Sequence, residues 1–526
     1  MKRLLFICWF LLYFLGLQAQ GNCSALLPMP NHVVLRKGKA FQVIPDKSRI
    51  YFNDVQLQFV AQQVQKDLSK EMNLQIPTSN NPQSCIKLLI DHQIKGEQEY
   101  ILTVSSKQLV IRGSTPQAIF YGAMTLHQIL IGDICATTHH RINPIQIEDT
   151  PRFSYRALML DPARHFLPVE DVKLYIDKMA RYKYNVLQLH LTDDQGWRIE
   201  IKKHPKLASK QHYSQKMMKE LIKYAAERHI EIVPEIDIPG HTVALLATYP
   251  ELGCTTSDTI QKVIGKTVNL MVCANNQKVY DIFEDIFEEI ATIFPSNYIH
   301  LGGDESVIDK NWALCRRCQQ LLREKHYSKA GQLMIPFFNT MLSQIKKLGK
   351  NPILWCELDN IYPPATDYLF PYPKEVTLVT WRNGLTPKCI ELTRKNGHEL
   401  IMAPGEYTYF DYPQLKGDLP EFNNWGMPIT TLRKVYEFDP GYGLPEKQQA
   451  HIKGVMGTLW GEAMPDIHRV TYMTYPRALA LAEAGWTHLQ FRNWNSFKRR
   501  LYPNLYNLMK EGVSVRVPFE IKNINE

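Results

Sequence analysis

The sequence predicts an α/β protein: a (β/α)8 TIM barrel over residues 151–526, preceded by a smaller α+β domain over residues 20–150. Three observations predict it. Eight short runs rich in Leu, Ile and Val recur after Arg152 without strict alternation, as strands buried on both faces do. Helical patterns separate most of them. Residues capable of chemistry stand at the carboxyl ends of the runs, where a barrel gathers its active site. A doubly wound open sheet has similar strands but meets its ligand at one switch point, so convergence of all the ends favours closure.

In chain order, Lys2 and Arg3 precede the apolar stretch Leu4 to Leu17, and Ala19 suits a cleavage site, so residues 1–19 read as a secretory signal peptide. The expectation is an exported protein, periplasmic or extracellular. The stretch is short for a transmembrane segment and no later run approaches that length. Asn22 before Cys23 argues against lipoprotein processing. In the following domain Phe41 to Phe52 and Ile86 to Asp91 read as strands around a helix from Leu57 to Met72. EYILTVSSKQLVIRGS reads as a hairpin turning at Ser105 to Lys107, with a helix from Pro116 to Leu130 behind it. Nothing there converges on a site, so the domain reads as structural.

The barrel strands begin near Arg156, Val186, Ile230, Tyr298, Pro352, Val376, Glu399 and Gly454. Pro168 opens a helix with Val172, Ile176, Met179 and Ala180 inward. Ser214 is an N-cap before Met217, Met218, Leu221, Ile222 and Ala225. From Asn276 to Phe294 one face is apolar (Val279, Phe283, Ile286, Phe287, Ile290) and the other acidic, the mark of a helix lying on a core.

A 45% hydrophobic content without short repeats fits a globular chain able to bury large cores. The net charge of +9 is spread in doublets such as Lys202 with Lys203 and Arg499 with Arg500, which read as solvated faces and exclude nucleic acid as a partner. Of ten cysteines, Cys8 lies in the leader and an odd number remains, so they cannot all pair within one chain. Cys254 and Cys273 bracket one loop and are placed for a disulfide in an oxidising compartment. Cys315 and Cys318 have neither a second C-x-x-C nor a His pair nearby, which argues against zinc; no metal and no cofactor are expected.

The chemistry rests on the strand ends. Strand one is followed by Arg164, strand two by Asp193 and Asp194, strand three by Glu235, Asp237 and His241, and strand four by Asp304 and Glu305. The later ends supply Trp355, Trp381, Tyr409 with Asp411, and Trp460 with Glu462. Hydrolysing a glycosidic bond ordinarily takes two carboxyl groups roughly 5 to 9.5 Å apart across the sugar. Asp304 and Glu305 are neighbours in YIHLGGDES and are poorly placed for that division of labour. A substrate that brings its own nucleophile, a 2-acetamido oxygen, resolves the difficulty: one acid protonates the leaving oxygen and its neighbour steadies the amide. Trp355, Trp381 and Trp460 then suit an apolar box for the acetamido methyl. Blander readings stand beside these: His241 as a helix cap, Arg164 as an ion-pair partner of Asp161 or Asp193, Asp194 and Trp197 as structural, Glu235 and Asp237 as supports, and Trp425 as a rim residue.

The segments MLDPARHF, NVLQLHLTDDQGWR, PEIDIPGHT, HLGGDE, LWCE, TWR, YFDY and TLWGE resemble, in order, those of glycoside hydrolase family 20, the β-N-acetylhexosaminidases. The preceding domain is similar to that family's N-terminal domain. The resemblance implies a retaining, exo-acting hydrolase of terminal β-linked GlcNAc or GalNAc on oligosaccharides or glycoconjugates. It implies Glu305 as general acid and base, Asp304 as holder of the acetamido group, and the Tyr409 hydroxyl on its carbonyl. Arg164, Asp411 and Glu462 would take sugar hydroxyls, and Asp193 and His241 a supporting network. Two other classes are carried forward. One is a metal-dependent barrel hydrolase using Asp193, Glu235, Asp237, His241, Asp304 and Glu305 as ligands. The other is a glycan-binding protein without catalysis.

Overall fold

A computed structural model describes residues 23–357, 372–418 and 426–519, so the leader and Trp425 lie outside the described residues. By its contacts the chain divides into one unit of Met1–Arg152, Ala180–Lys183 and Tyr475–Glu526, and another of Phe153–Met179 and Tyr184–Thr474.

The first unit is built on a six-stranded mixed sheet in the order His32–Leu35, Ile145–Asp149, Tyr100–Val104, Leu109–Gly113, Ile86–Ile90, Ile50–Phe52. Tyr100–Val104 and Leu109–Gly113 form the antiparallel hairpin that alternation predicts, with Tyr100, Leu102 and Val104 on the buried face. The run from Phe41 to Phe52 is two strands rather than one. Phe41–Gln42 pairs with Arg141–Ile142, and Ile50–Phe52 forms the sheet edge. Between them Pro45 lacks the N–H a ladder needs, and the chain turns. Helices Gln58–Met72 and Pro116–Gly132 pack together, the second opened by Thr115, whose hydroxyl accepts from the Ala118 N–H, and by Pro116. At its centre Asp149 accepts from Lys183 Nζ (3.2 Å), the Tyr100 hydroxyl (2.7 Å) and the Trp486 indole (2.9 Å), so this buried charge is fully partnered.

The second unit is a closed barrel of eight parallel strands: Tyr155–Leu160, Val186–His190, Glu231–Glu235, Tyr298–His300, Asn351–Trp355, Thr377–Val379, Leu400–Met402 and Ile452–Leu459. Every one of the eight apolar runs is a strand, and the first two are buried at every position. Closure joins the last strand to the first in register from Gly454 opposite Tyr155 to Leu459 opposite Leu160. At that seam a Cβ on Gly454 would lie 1.7 Å from the Tyr155 carbonyl oxygen, so only glycine lets the edges meet. The helix expected after Ser214 runs Gln215–Ala226 with the Ser214 hydroxyl accepting from the Met217 N–H at 3.2 Å. The amphipathic helix runs Gln277–Ile293 with Asn276 as its cap. Among the described residues no helix is long and apolar enough to cross a membrane.

Candidate active site

The fourth strand ends at His300, and the chain then bends through left-handed backbone at Gly302 (φ 63°), Gly303 (φ 96°) and Glu305 (φ 44°). Gly302 is packed so tightly that a Cβ would come within 1.8 Å of Asp237 Oδ1, and the Gly303 N–H donates to that same oxygen at 3.1 Å. This turn sends the two adjacent acids in different directions. Asp304 is buried, whereas the Glu305 side chain keeps 40% of its surface exposed at the mouth. Positive φ at a non-glycine residue is held only when its surroundings insist on it. Here the Glu305 N–H donates to Glu357 Oε2 at 3.1 Å, and Asn269 Nδ2 donates to the Glu305 carbonyl.

The mouth opens on a cavity of about 350 Å³ lined by Arg164, Asp304, Glu305, Trp381, Tyr409, Asp411, Trp460 and Glu462, with Arg382, Asn383, Tyr412 and Met427. Two carboxylate oxygens of its lining are buried without a hydrogen-bond donor, Asp304 Oδ1 and Glu462 Oε2. A buried carboxylate oxygen left open in this way calls for an N–H or O–H from whatever fills the cavity. Tyr409, 5% exposed, stands on the same wall beside Trp460, their ring centres 6.3 Å apart. Burial pushes the Tyr409 phenol well above its ordinary range, so it is a hydrogen-bond donor and not an anion.

Beneath the cavity lies a buried lattice of charge. Arg164 donates to Asp161 Oδ2 (3.1 Å) and Asp193 Oδ2 (2.8 Å), with Glu462 Oε1 at 3.9 Å and its guanidinium 5.0 Å from the Trp460 ring centre. Asp193 also meets His190 Nε2 (2.9 Å) and His241 Nδ1 (3.3 Å). Burial opposes its ionisation, but Arg164 and His241 outweigh that and hold the Asp193 carboxyl well below the usual range. Burial likewise opposes charge on His241, and Asp193 overrides it, with Asp237 and Asp304 adding to the upward shift. His241 Nε2 then lies 4.0 Å from Asp304 Oδ2 and 3.7 Å from Glu305 Oε2, a cation set between the two acids. Asp304 itself is raised by burial and by the charges of Glu305 and Glu235, with His241 opposing. Glu235, between His190 Nδ1 (3.0 Å) and His300 Nδ1 (3.2 Å), accepts from the Trp355 indole at 2.9 Å.

The sequence-predicted residues therefore separate into two layers. Arg164, Asp304, Glu305, Trp381, Tyr409, Asp411, Trp460 and Glu462 face the cavity, while Asp193 and His241 lie below it. Trp355 is also one layer down, 1% exposed, with its ring centre 5.8 Å from that of Trp460. Asp194 is structural, accepting from the N–H groups of Val243, Val268 and Asn269. Trp197 packs, its indole donating to the Ile199 carbonyl. Sequence reasoning missed Glu357, although it stands in the LWCE segment. It accepts from Arg382 Nε at 2.9 Å, and burial, tempered by Arg382, pushes its carboxyl up to about 7.

Three His and carboxylate trios in this region come close enough to share an ion, such as Asp193 with Asp194 and His241. Asp193, shared by two of the trios, already spends its charge on Arg164, His190 and His241. The cysteines depart from expectation: Cys254 and Cys273 are not bonded to each other but are free thiols clustered with Cys315 and Cys318. The loops that carry the two pairs come together only in three dimensions.

Residues 153–489 match the description "Glycosyl hydrolase family 20, catalytic domain" and residues 24–150 match "Glycosyl hydrolase family 20, domain 2". A beta-hexosaminidase of Akkermansia muciniphila is 37% identical over 446 residues, covering 81% of this chain and 87% of the relative. One from Porphyromonas gingivalis is 31% identical over 94% of this chain and 64% of its own length. Among solved structures, an exo β-N-acetylglucosaminidase of Vibrio harveyi in complex with N-acetylglucosamine superimposes with a TM-score of 0.82 at 27% identity, covering 94% of this chain and 79% of that one. A Streptomyces plicatus β-hexosaminidase variant with bound GlcNAc gives 0.79 at 28% identity over 94% and 97%. With its barrel and the domain before it both matched, this chain belongs to glycosyl hydrolase family 20.

Proposed function

We propose that the cavity removes a terminal, non-reducing β-linked N-acetylhexosamine, GlcNAc or GalNAc, with the sugar's own amide as nucleophile. The observation that carries this reading is the unpartnered Asp304 Oδ1, buried at the wall of a cavity that also holds a phenol donor and an exposed carboxyl. An acetamido group supplies the missing N–H for Asp304 and a carbonyl oxygen for the Tyr409 hydroxyl. Held this way, the carbonyl oxygen forms a bond to the anomeric carbon while the glycosidic C–O bond breaks. Glu305 gives its proton to the leaving oxygen. The resulting oxazolinium carries positive charge next to Asp304, which stabilises it. Glu305, now a carboxylate, takes a proton from water as that water attacks the anomeric carbon and reopens the ring. Two displacements at one carbon retain configuration.

The volume suits one sugar, which supports exo action. Trp381 and Trp460 offer the aromatic faces on which a pyranose and its methyl group pack. Arg164, Asp411 and Glu462 present a guanidinium and carboxylates to the ring hydroxyls. The apolar stretch after Lys2 and Arg3, with Ala19 behind it, supports export before folding, so the substrates are oligosaccharides or glycoconjugates outside the cytoplasm.

A panel of aryl β-glycosides tests the reading. The N-acetylglucosaminide and N-acetylgalactosaminide should be cleaved, the plain glucoside and galactoside should not, and a thiazoline mimic of the cyclic intermediate should inhibit competitively. Equal cleavage of sugars without the amide would sink it.

A further inference from the structure

The four-cysteine cluster lies in the barrel unit and takes no part in the reaction above. Cys254 follows the short helical turn Pro250–Leu252, and Cys273 lies on the returning strand segment, where Gly253 and Val272 form an antiparallel bridge. Cys315 is the N-cap of the helix Arg316–Glu324 and Cys318 stands in its first turn. The Sγ separations are 3.7 Å for Cys254 to Cys318, 3.8 Å for Cys273 to Cys315 and 3.6 Å for Cys273 to Cys318. All four sulfurs lie within 4.8 Å of one another. Zinc bound to thiolates has Zn–S bonds of about 2.3 Å, and the edge of such a tetrahedron is about 3.8 Å. A disulfide is about 2.05 Å. The sulfurs thus already stand near the corners of a zinc tetrathiolate and far from any bonded pair.

The surroundings suit a metal of this kind. Cys273 and Cys318 are fully buried, Cys315 nearly so, and Cys254 closes the set at the surface. The C-x-x-C pair at a helix N-terminus places peptide N–H groups near the thiolates, which favours their charge. Arg317, between the two ligands, donates from Nη2 to the Gly253 carbonyl at 2.6 Å, bringing a cation to the rim of a centre that would carry net negative charge. The Cys273 N–H donates to the Leu252 carbonyl (2.7 Å) within the first loop, and the two loops are registered without the sulfurs by the Trp312 indole on the Val272 carbonyl (2.8 Å) and Asn275 Nδ2 on the Arg317 carbonyl (2.8 Å). A preorganised ligand set of this sort is what a structural zinc site needs.

We propose that Cys254, Cys273, Cys315 and Cys318 bind one zinc ion as a structural tetrathiolate, releasing their thiol protons. The ion staples the loop after the third barrel strand to the loop after the fourth. That staple bears on the active site through Asn269, which precedes Cys273 on one loop. Its side chain accepts from the His241 N–H at 2.8 Å and donates to the carbonyl of Glu305 on the other loop. No residue of the catalytic cavity is a ligand, so the zinc holds the acid in place and touches no substrate.

The test is metal analysis of the purified full-length protein together with its thiol count and intact mass. The expected result is about one zinc per chain, all four thiols released only when a mercurial displaces the metal, and retention of the metal through gel filtration. Growth with cobalt should yield the visible ligand-field bands of a tetrahedral site and strong thiolate-to-cobalt charge transfer. Cys318→Ser should lose the zinc, Cys254→His should keep it, and Cys85→Ser, which is not one of the four, should leave it unchanged. Stripping the zinc from wild-type protein should lower the thermal midpoint by several degrees or more, with recovery on zinc addition and no recovery with magnesium. Two outcomes overturn the proposal. One is a metal-free protein whose mass lacks the hydrogens of two disulfides among these cysteines. The other is a metal-free protein with four free thiols that takes up neither zinc nor cobalt. Because these readouts are elemental and spectroscopic, their failure is distinguishable from failure of the glycosidase reading.

Discussion

Replacing Asp304 by Asn separates charge from shape at the position on which the mechanism turns. Asn retains an oxygen able to accept the acetamido N–H but removes the anion facing the oxazolinium. Taking a charge separation of about 4 Å and an effective dielectric near 20, the lost attraction is about 4 kcal/mol in the transition state. At 1.36 kcal/mol per decade, kcat should fall by about a thousandfold. The ground-state substrate is neutral at the amide, so KM should change only severalfold, which is the signature of an interaction made in the transition state. Steady-state rates on an aryl N-acetylglucosaminide measure both quantities. The same substrate with a progressively fluorinated N-acyl group measures how much the amide oxygen participates. Wild-type rates should fall steeply as the acyl oxygen loses basicity. A loss below tenfold in Asp304→Asn, or wild-type rates indifferent to the acyl group, would refute substrate assistance.

Three further predictions follow from the same geometry. His241 Nε2 sits 4.0 Å from Asp304 Oδ2 and opposes the upward shift of Asp304, so His241→Gln should move the acidic limb of the kcat/KM profile to higher pH. An unmoved limb would mean that the imidazole does not tune Asp304. Glu357 titrates near 7 in the fold against 4.5 in its ordinary state, so its burial removes stability as pH rises from 4.5 through 7. The thermal midpoint of Glu357→Gln minus that of wild type should therefore be more positive at pH 8 than at pH 5, and a pH-independent difference would contradict the shift. Gly302→Ala places a methyl group 1.8 Å from Asp237 Oδ1 at a left-handed φ, so we expect a loss of about 2 kcal/mol or more in denaturant unfolding and a collapse of kcat. Retention of wild-type stability and rate would show that the turn relaxes without consequence.

Much of this molecule was legible in its residues. The eight strands were, because a parallel strand covered on both faces must be apolar at nearly every position, and runs such as RALMLD and VLQLHL say so directly. Asp304 and Glu305 were legible because paired glycines and paired acids at a strand end are hard to reconcile with a merely soluble loop. Glu357 was not, since nothing near it in sequence reveals that its carboxylate meets the Glu305 N–H. The depth of Trp355 was likewise hidden: strand-end position marks which end of the barrel a side chain occupies, and its layer depends on Glu235 and Trp460. The cysteines misled for a related reason. A loop bracketed by Cys254 and Cys273 suggests that the two pair with each other, whereas the fold sets both beside Cys315 and Cys318, from a later stretch of chain.

By itself, then, the order of residues determined which segments become strands and helices, that the strands close into a barrel, and which end of that barrel carries acids and indoles. Those properties depend on short-range periodicity and on burial averaged over a few residues, and both are written locally. Tertiary structure alone decided that Asp304 turns inward while Glu305 faces the mouth, that His241 is charged between them, and that four distant thiols share one corner. Coulomb energy and ligand geometry depend on separations of a few ångströms through space, and chain distance carries no record of those until the fold brings the groups together.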